Sequence, residues 1–198
     1  MGAKSFVQVW ATGYVSPARM IERLRSKPAP QWGFWAQLLR AVLDSLLVYL
    51  PVTLMGRIPP TPSNLSFVST EHYYRTLLWL TPIVLGAQWL LASAVVHLGL
   101  RLSRRPSDFD QILNIVGMAG LVVGAFLIPW DWVWFAIGGV DQYFLGTSHL
   151  IISLWGTLIT VVGLKRILGA PAWLGCVLGI LAIAVAVPFG IMFMRSPF

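Results

Sequence analysis

Five stretches of this chain run for about 20 residues each with scarcely a charge, the length a helix needs to cross the roughly 30 Å hydrocarbon core of a bilayer. They fall at 34–55, 76–98, 111–129, 146–164 and 172–194, with short polar segments between them. A membrane barrel would instead show strands of about 10 residues alternating apolar and polar positions, a pattern absent here. The spacing predicts an all-α fold, a polytopic transmembrane helical bundle of five spans over 34–198. A basic, amphipathic segment over 1–33 precedes it.

The first span is the one that composition strains, because Arg40 and Asp44 lie inside FWAQLLRAVLDSLLVYLPVTLM. Four residues apart, they share a helix face and can pair, in the less favourable order for the helix dipole. The Arg40 stem is also long enough to snorkel toward headgroups. Pro51 and Pro82 are expected to kink their helices. The segment RIPPTPSNLSFVSTEHYYR reads as a loop rather than a domain. In the leading segment, Ser16-Pro17 predicts a helix start, cap then first turn. Met20, Ile21 and Leu24 then oppose Arg19, Arg23, Arg25 and Lys27, which suits a helix lying on an anionic membrane face and equally a plain basic flank of the first span. The first 19 residues hold no apolar run long enough for a secretory leader.

Composition supports the membrane reading. Of 198 residues 57% are hydrophobic and only 11% charged, against about 25% charged in an average soluble domain. The mean hydropathy is +0.76. The net charge of +7 would suit nucleic acid, but the cations sit beside the apolar runs, where they orient a membrane protein. With the N-terminus cytoplasmic and five spans, ten cations face inward: Lys4, Arg19, Arg23, Arg25, Lys27, Arg101, Arg104, Arg105, Lys165 and Arg166. Only Arg57, Arg75 and Arg195 face outward, while the loop after the third span carries Asp131 and Asp141. That asymmetry places the C-terminus outside and requires the first span. Membrane lipids and other membrane proteins, or further copies of this chain, are the partners to expect; nucleic acid is not.

Little in the chain demands chemistry. Cys176 is the one cysteine, so no disulfide or CxxCH haem attachment can form. His97 and His149 belong to opposite ends of their spans, about 20 Å or more apart, too far to share an iron. His72 and His149 face the same side without a third ligand. Ser107, Asp108 and Asp110 are placed to cap the third span, which outweighs a catalytic pair of carboxylates. Trp130, Trp132 and Trp134 read as an interfacial aromatic belt. Gly120/Gly124 and Gly175/Gly179 have the spacing of close helix packing. Arg104, Arg105, Lys165 and Arg166 are placed to meet lipid headgroups or simply to anchor topology. No phosphate loop, HExxH or GxSxG motif occurs. The expectation is therefore no catalytic residue, no cofactor and no metal.

Three stretches resemble the Yip family, five-span proteins that interact with Rab/Ypt GTPases, in its short bacterial branch. SPARMIERLRSKPAP is similar to the branch's proline-led helix before the first span, and RRPSDFDQILNIVGMA to its polar loop and third span. LWGTLITVVGLKRILGAPAWLGCVLGILA is similar to the last two spans joined by a Gly-Leu-Lys turn. Where the family often has a Gly-Gly-Lys-Gly-like loop, this chain has LSRRPSD. The resemblance implies a non-enzymatic scaffold or accessory protein in a bacterial inner membrane, with no catalytic residues. Two other readings stay open from the residues. One is a small transporter or channel subunit with a path lined by Arg40 and Asp44, joined by Asn114 or Gln88; the other is a cofactor-free membrane subunit of a larger enzyme complex.

Overall fold

The computed structural model describes residues 3–26, 29–59, 62–137 and 142–193. Of the charges used above, Lys27, Asp141 and Arg195 lie outside the described residues, as does the Lys4 side chain. Every regular element among the described residues is helical. Five helical rods are long and apolar enough to cross a membrane, and the chain is built as an integral membrane protein. The first rod is α3 (Gln31–Asp44), a π-helical turn over Ser45–Tyr49, and α4 (Leu50–Leu54). The others are α5 (Tyr73–Leu102), α6 (Phe109–Ile137), α7 (Gln142–Leu168) and α8 (Ala172–Phe193). The expected spans are all present, but most helices overrun them. The third does not stop at Pro129: α6 continues through the tryptophans, which puts Asp131 inside a helix rather than in a loop. The fourth does not turn at Gly163-Leu164-Lys165 either. α7 runs on to Leu168, and the turn comes at Gly169, whose φ of 66° is a left-handed conformation that glycine adopts at least cost, closed by Ala170 N–H donating to Leu164 O at 3.1 Å.

Two prolines show how the rods fit one another. Residue 51 would normally donate its N–H to the Leu47 carbonyl and residue 82 to that of Leu78, and proline can do neither. In a water-free setting a neighbouring helix must supply the donor. Trp132 Nε1 donates to Leu47 O at 2.7 Å, and Ser45 Oγ donates to Leu78 O at 3.1 Å. The π-helical turn just before Pro51 absorbs the break in register. A differential result follows for two tryptophans two residues apart on α6. Trp132→Phe removes a needed donor and should lower stability by about 1–3 kcal/mol. Trp134 Nε1 has no partner, so Trp134→Phe should cost less than about half as much. Equal losses in urea or SDS unfolding of the micellar protein would refute the repair role of Trp132.

α6 is the axis of the bundle: 67% of its most apolar window is buried inside the protein, against 22–28% in the other four spans. α3 lies along it in the same direction, Gly33 against Gly117, Gln37 against Gly120, Arg40 against Gly124 and Leu47 against Trp132. α7 runs opposite, with Gly163 at Ile115, Gly156 at Val123 and Ser148 at Trp130. α8 packs on α7 through Gly175, where an added Cβ would lie 3.3 Å from the Val161 Cα, so this pair of glycines does serve close helix approach.

The leading segment differs from expectation. It contains a helix the sequence pattern did not predict, α1 (Ala3–Val15), followed by α2 (Pro17–Arg25) with Ser16 at its start. Ser16 caps through its carbonyl, accepting from Met20 N at 3.1 Å, and not through its hydroxyl. Met20, Ile21 and Leu24 are fully buried in the main core with residues of α6 and α7, so the apolar side of α2 faces protein and not lipid. Gln111 Nε2 donates to Arg25 O, while Gly13, next to the turn, sits against Val122, eleven residues farther along α6. At 1.5 Å per residue the hairpin thus lies along roughly 16 Å of the bundle. Rings fasten both ends of α1, Phe6 on Trp32 at 5.6 Å and Tyr14 on Trp155 at 5.6 Å. Burial raises the Tyr14 pKa above its ordinary value, and the hydrogen bond from Trp10 opposes the shift.

A polar site inside the bundle

Gln37 and Arg40, three residues apart on α3, share one face, and that face meets Gly120 and Gly124 of α6. A Cβ on Gly124 would fall 2.6 Å from Arg40 Nε, and one on Gly120 would fall 2.5 Å from Gln37 Nε2. The Gly120/Gly124 pair therefore seats two polar side chains rather than a bare helix seam. Gln37 Nε2 donates to Gly117 O at 3.2 Å. Arg40 Nε stands 3.8 Å from Asp44 Oδ2, an ion pair without a hydrogen bond, with both side chains about one-fifth exposed.

Beside this face is a cavity of about 140 Å³, walled by all five spans. Gln37 and Arg40 come from α3, Gln88 and Trp89 from α5, Gly120 from α6, Ser153, Thr157 and Thr160 from α7, and Ala186 from α8. Asp44 is not part of the wall. Six buried side-chain polar atoms among the described residues lack a partner, and three of them, Gln37 Oε1, Arg40 Nε and Thr157 Oγ1, belong to residues lining this cavity. Gln88 Nε2 reaches Ala186 O at 3.4 Å across the wall. Asn114 is elsewhere: its Oδ1 accepts from Gly33 N and its Nδ2 donates to Ala29 O, both at 2.8 Å, so it caps the start of α3.

The remaining sequence candidates separate into two groups. His149 Nε2 and Asp131 Oδ1 are joined by a hydrogen bond of 2.6 Å between α7 and α6, so this histidine is held by another helix and not by its own. The three tryptophans act nearby as helix–helix links: Trp130 Nε1 donates to Ser148 Oγ at 2.9 Å, Trp132 serves Leu47, and Trp134 packs edge-on against Phe144 at 4.7 Å. At the other end of α5, Ser107 is not the cap of α6; its hydroxyl bonds His97 Nδ1 at 2.7 Å. Asp108 Oδ1 accepts from Gln111 N instead. Arg104 stands in the left-handed region, φ 53°, and ends α5 with Arg105 N–H donating to Leu100 O. Arg104, Arg105, Lys165 and Arg166 are exposed and form no ion pair among the described residues. No group of three His, Cys, Asp or Glu side chains able to hold a metal converges among the described residues.

Gln37 and Thr157 were not singled out by sequence reasoning. The signal for Gln37 was present, since it precedes Arg40 by three residues in an otherwise apolar helix. Nothing local marked Thr157, one of several hydroxyl residues along α7. No protein-family model, curated protein or solved structure matches the chain.

Proposed function

We propose that this chain is a non-enzymatic accessory protein of Yip type in a bacterial inner membrane, working by contact between its basic end and anionic lipids or other membrane proteins. The observation that carries this reading is the docked hairpin. α2 spends its apolar side on the bundle, so Arg19, Arg23 and Arg25 project outward as part of a folded surface, with exposed Lys165 and Arg166 on the same α7 that receives it. A preformed basic face loses less ordering entropy on binding than a loose basic tail, and each cation near an anionic leaflet adds about 1 kcal/mol. In the orientation that the positive-inside rule favours, this face is cytoplasmic.

The test is mild-detergent purification with mass spectrometry of retained lipids and proteins, for the wild type and for the triple variant Arg19→Glu, Arg23→Glu, Arg25→Glu. The wild type should retain a stoichiometric protein or anionic lipid that the variant loses, with unfolding of the bundle unchanged. Identical retention by the two sinks the proposal. Orientation is read separately from Ser103→Cys in a Cys176→Ser background, which should resist impermeant thiol reagents applied outside intact cells. A second reading, a small transporter or channel subunit, is favoured by the polar cavity between the spans.

A further inference from the structure

The end of the bundle opposite α2 carries an inference that does not depend on the basic face. Where α4 ends and α5 begins there is a second cavity, of about 220 Å³, with Arg57, Glu71, His72 and Arg75 in its wall. Two of the three arginines assigned above to the outer side therefore converge on one place, and they come from different elements. Folded backbone holds each of them. α4 closes in a turn where Gly56, at φ 65°, lets Arg57 N–H donate to Val52 O at 3.2 Å. The Arg57 guanidinium then lies over the Phe135 ring of α6, 5.8 Å from its centroid. Arg75 stands in the first turn of α5, beside Tyr73 and Tyr74, which are buried with Val52, Leu65 and Val68.

The charges at this opening are not balanced from within. Neither arginine forms an ion pair among the described residues, although Glu71 shares the wall. One carboxylate against two guanidinium groups leaves the wall positive whatever the state of His72. The first turn of α5 holds no acidic residue, so Arg75 also opposes the positive end of its own helix dipole. These like charges repel one another, and an anion seated between them relieves the repulsion. All four ionisable residues of the wall are exposed, so an anion from outside can reach them.

The donors dictate which anion. Guanidinium presents parallel N–H groups that match the oxygens of phosphate or carboxylate. Contact with Phe135 covers one face of the Arg57 group and leaves its donor edge free. Two forks arriving from different elements suit a tetrahedral group with oxygens on several sides better than a planar carboxylate. His72 adds an N–H donor in either protonation state. The volume of about 220 Å³ exceeds the roughly 150 Å³ that holds a benzene molecule, so a single phosphate group fits. The position also suits it, since the ends of the spans meet the headgroup layer of a bilayer.

We propose that this cavity binds a phosphate group between Arg57 and Arg75. The group arrives either as a free phosphate or as the headgroup of an anionic lipid.

The test uses the full chain, delipidated in dodecyl maltoside, with the rate of phenylglyoxal modification of each arginine read by peptide mass spectrometry. A ligand at about twice its Kd should slow modification of both Arg57 and Arg75 about threefold. If the source is a solute, inorganic phosphate gives this protection and sodium chloride of equal ionic strength does not. If it is a lipid, phosphate fails and dihexanoyl phosphatidylglycerol protects. Coupling distinguishes a shared site from two surface arginines: Arg75→Gln should remove the protection of Arg57, and Arg57→Gln that of Arg75. Glu71→Gln, which removes the opposing charge, should lower the ligand concentration needed for half protection. Both arginines are exposed, so gel filtration of the variants should match the wild type. Protection of Arg57 that persists in Arg75→Gln overturns the proposal. So does labelling that neither phosphate nor phosphatidylglycerol slows, or that sodium chloride slows equally.

Discussion

Gly117→Ala is expected to lower the stability of the folded bundle by about 3 kcal/mol or more, although it adds a single methyl group. The added carbon would lie 2.6 Å from the Cα of Gly33 and 2.7 Å from its carbonyl oxygen, both backbone atoms that no rotamer change can move. α3 would have to lift off α6. That movement stretches Gly33 N–H to Asn114 Oδ1, 2.8 Å, and Gln37 Nε2 to Gly117 O, 3.2 Å. Overpacking alone accounts for about 1–3 kcal/mol, and each weakened hydrogen bond adds about 1. Gly120→Ala meets instead the far ends of Gln37 and Arg40, which can shift, so its penalty should be nearer 1 kcal/mol. Gly86 and Gly146 have nothing within 4 Å of an added Cβ, and alanine there should be neutral or stabilising by up to about 1 kcal/mol. Unfolding by steric trapping or SDS in one micelle system ranks the four variants. A Gly117→Ala protein as stable as Gly86→Ala would mean that the α3–α6 contact is looser than described.

The same contact shows where sequence pattern stops informing. The five spans were legible because apolar runs near 20 residues have few other uses. Their ends were not, because polar and proline residues were read as stops. α6 absorbs Pro129 and carries Asp131 to a partner on α7, a pairing 18 residues apart that no local periodicity reveals. Arg40 and Asp44 could be paired from their spacing alone, whereas the unpartnered state of Arg40 Nε could not. It depends on α6 presenting Gly124 to that atom. GxxxG spacing reports only that room exists beside a helix; at Gly175/Gly179 a helix fills it, and at Gly120/Gly124 an arginine and a glutamine do. Helix α1 was invisible for a related reason. SFVQVWATGYV has no strong propensity or cap, and its helix is held by rings on Trp32 and Trp155, contacts made only after the bundle exists.

Breaking the ion pair from its two sides should give unequal losses. Removing one member of a buried pair typically destabilises by 3–5 kcal/mol. Here the side chains keep about one-fifth exposure and the 3.8 Å separation lacks a hydrogen bond, so about 2–3 kcal/mol is the better expectation for Asp44→Asn. Arg40→Leu should lose less, about 1–2 kcal/mol, because a lone carboxylate can take up a proton and become neutral while guanidinium cannot shed one. The double variant should fall well short of the sum, with a coupling of about 1 kcal/mol or more in a double-mutant cycle. Strict additivity would show that the two charges are solvated separately and that the cavity wall is not a low-dielectric site.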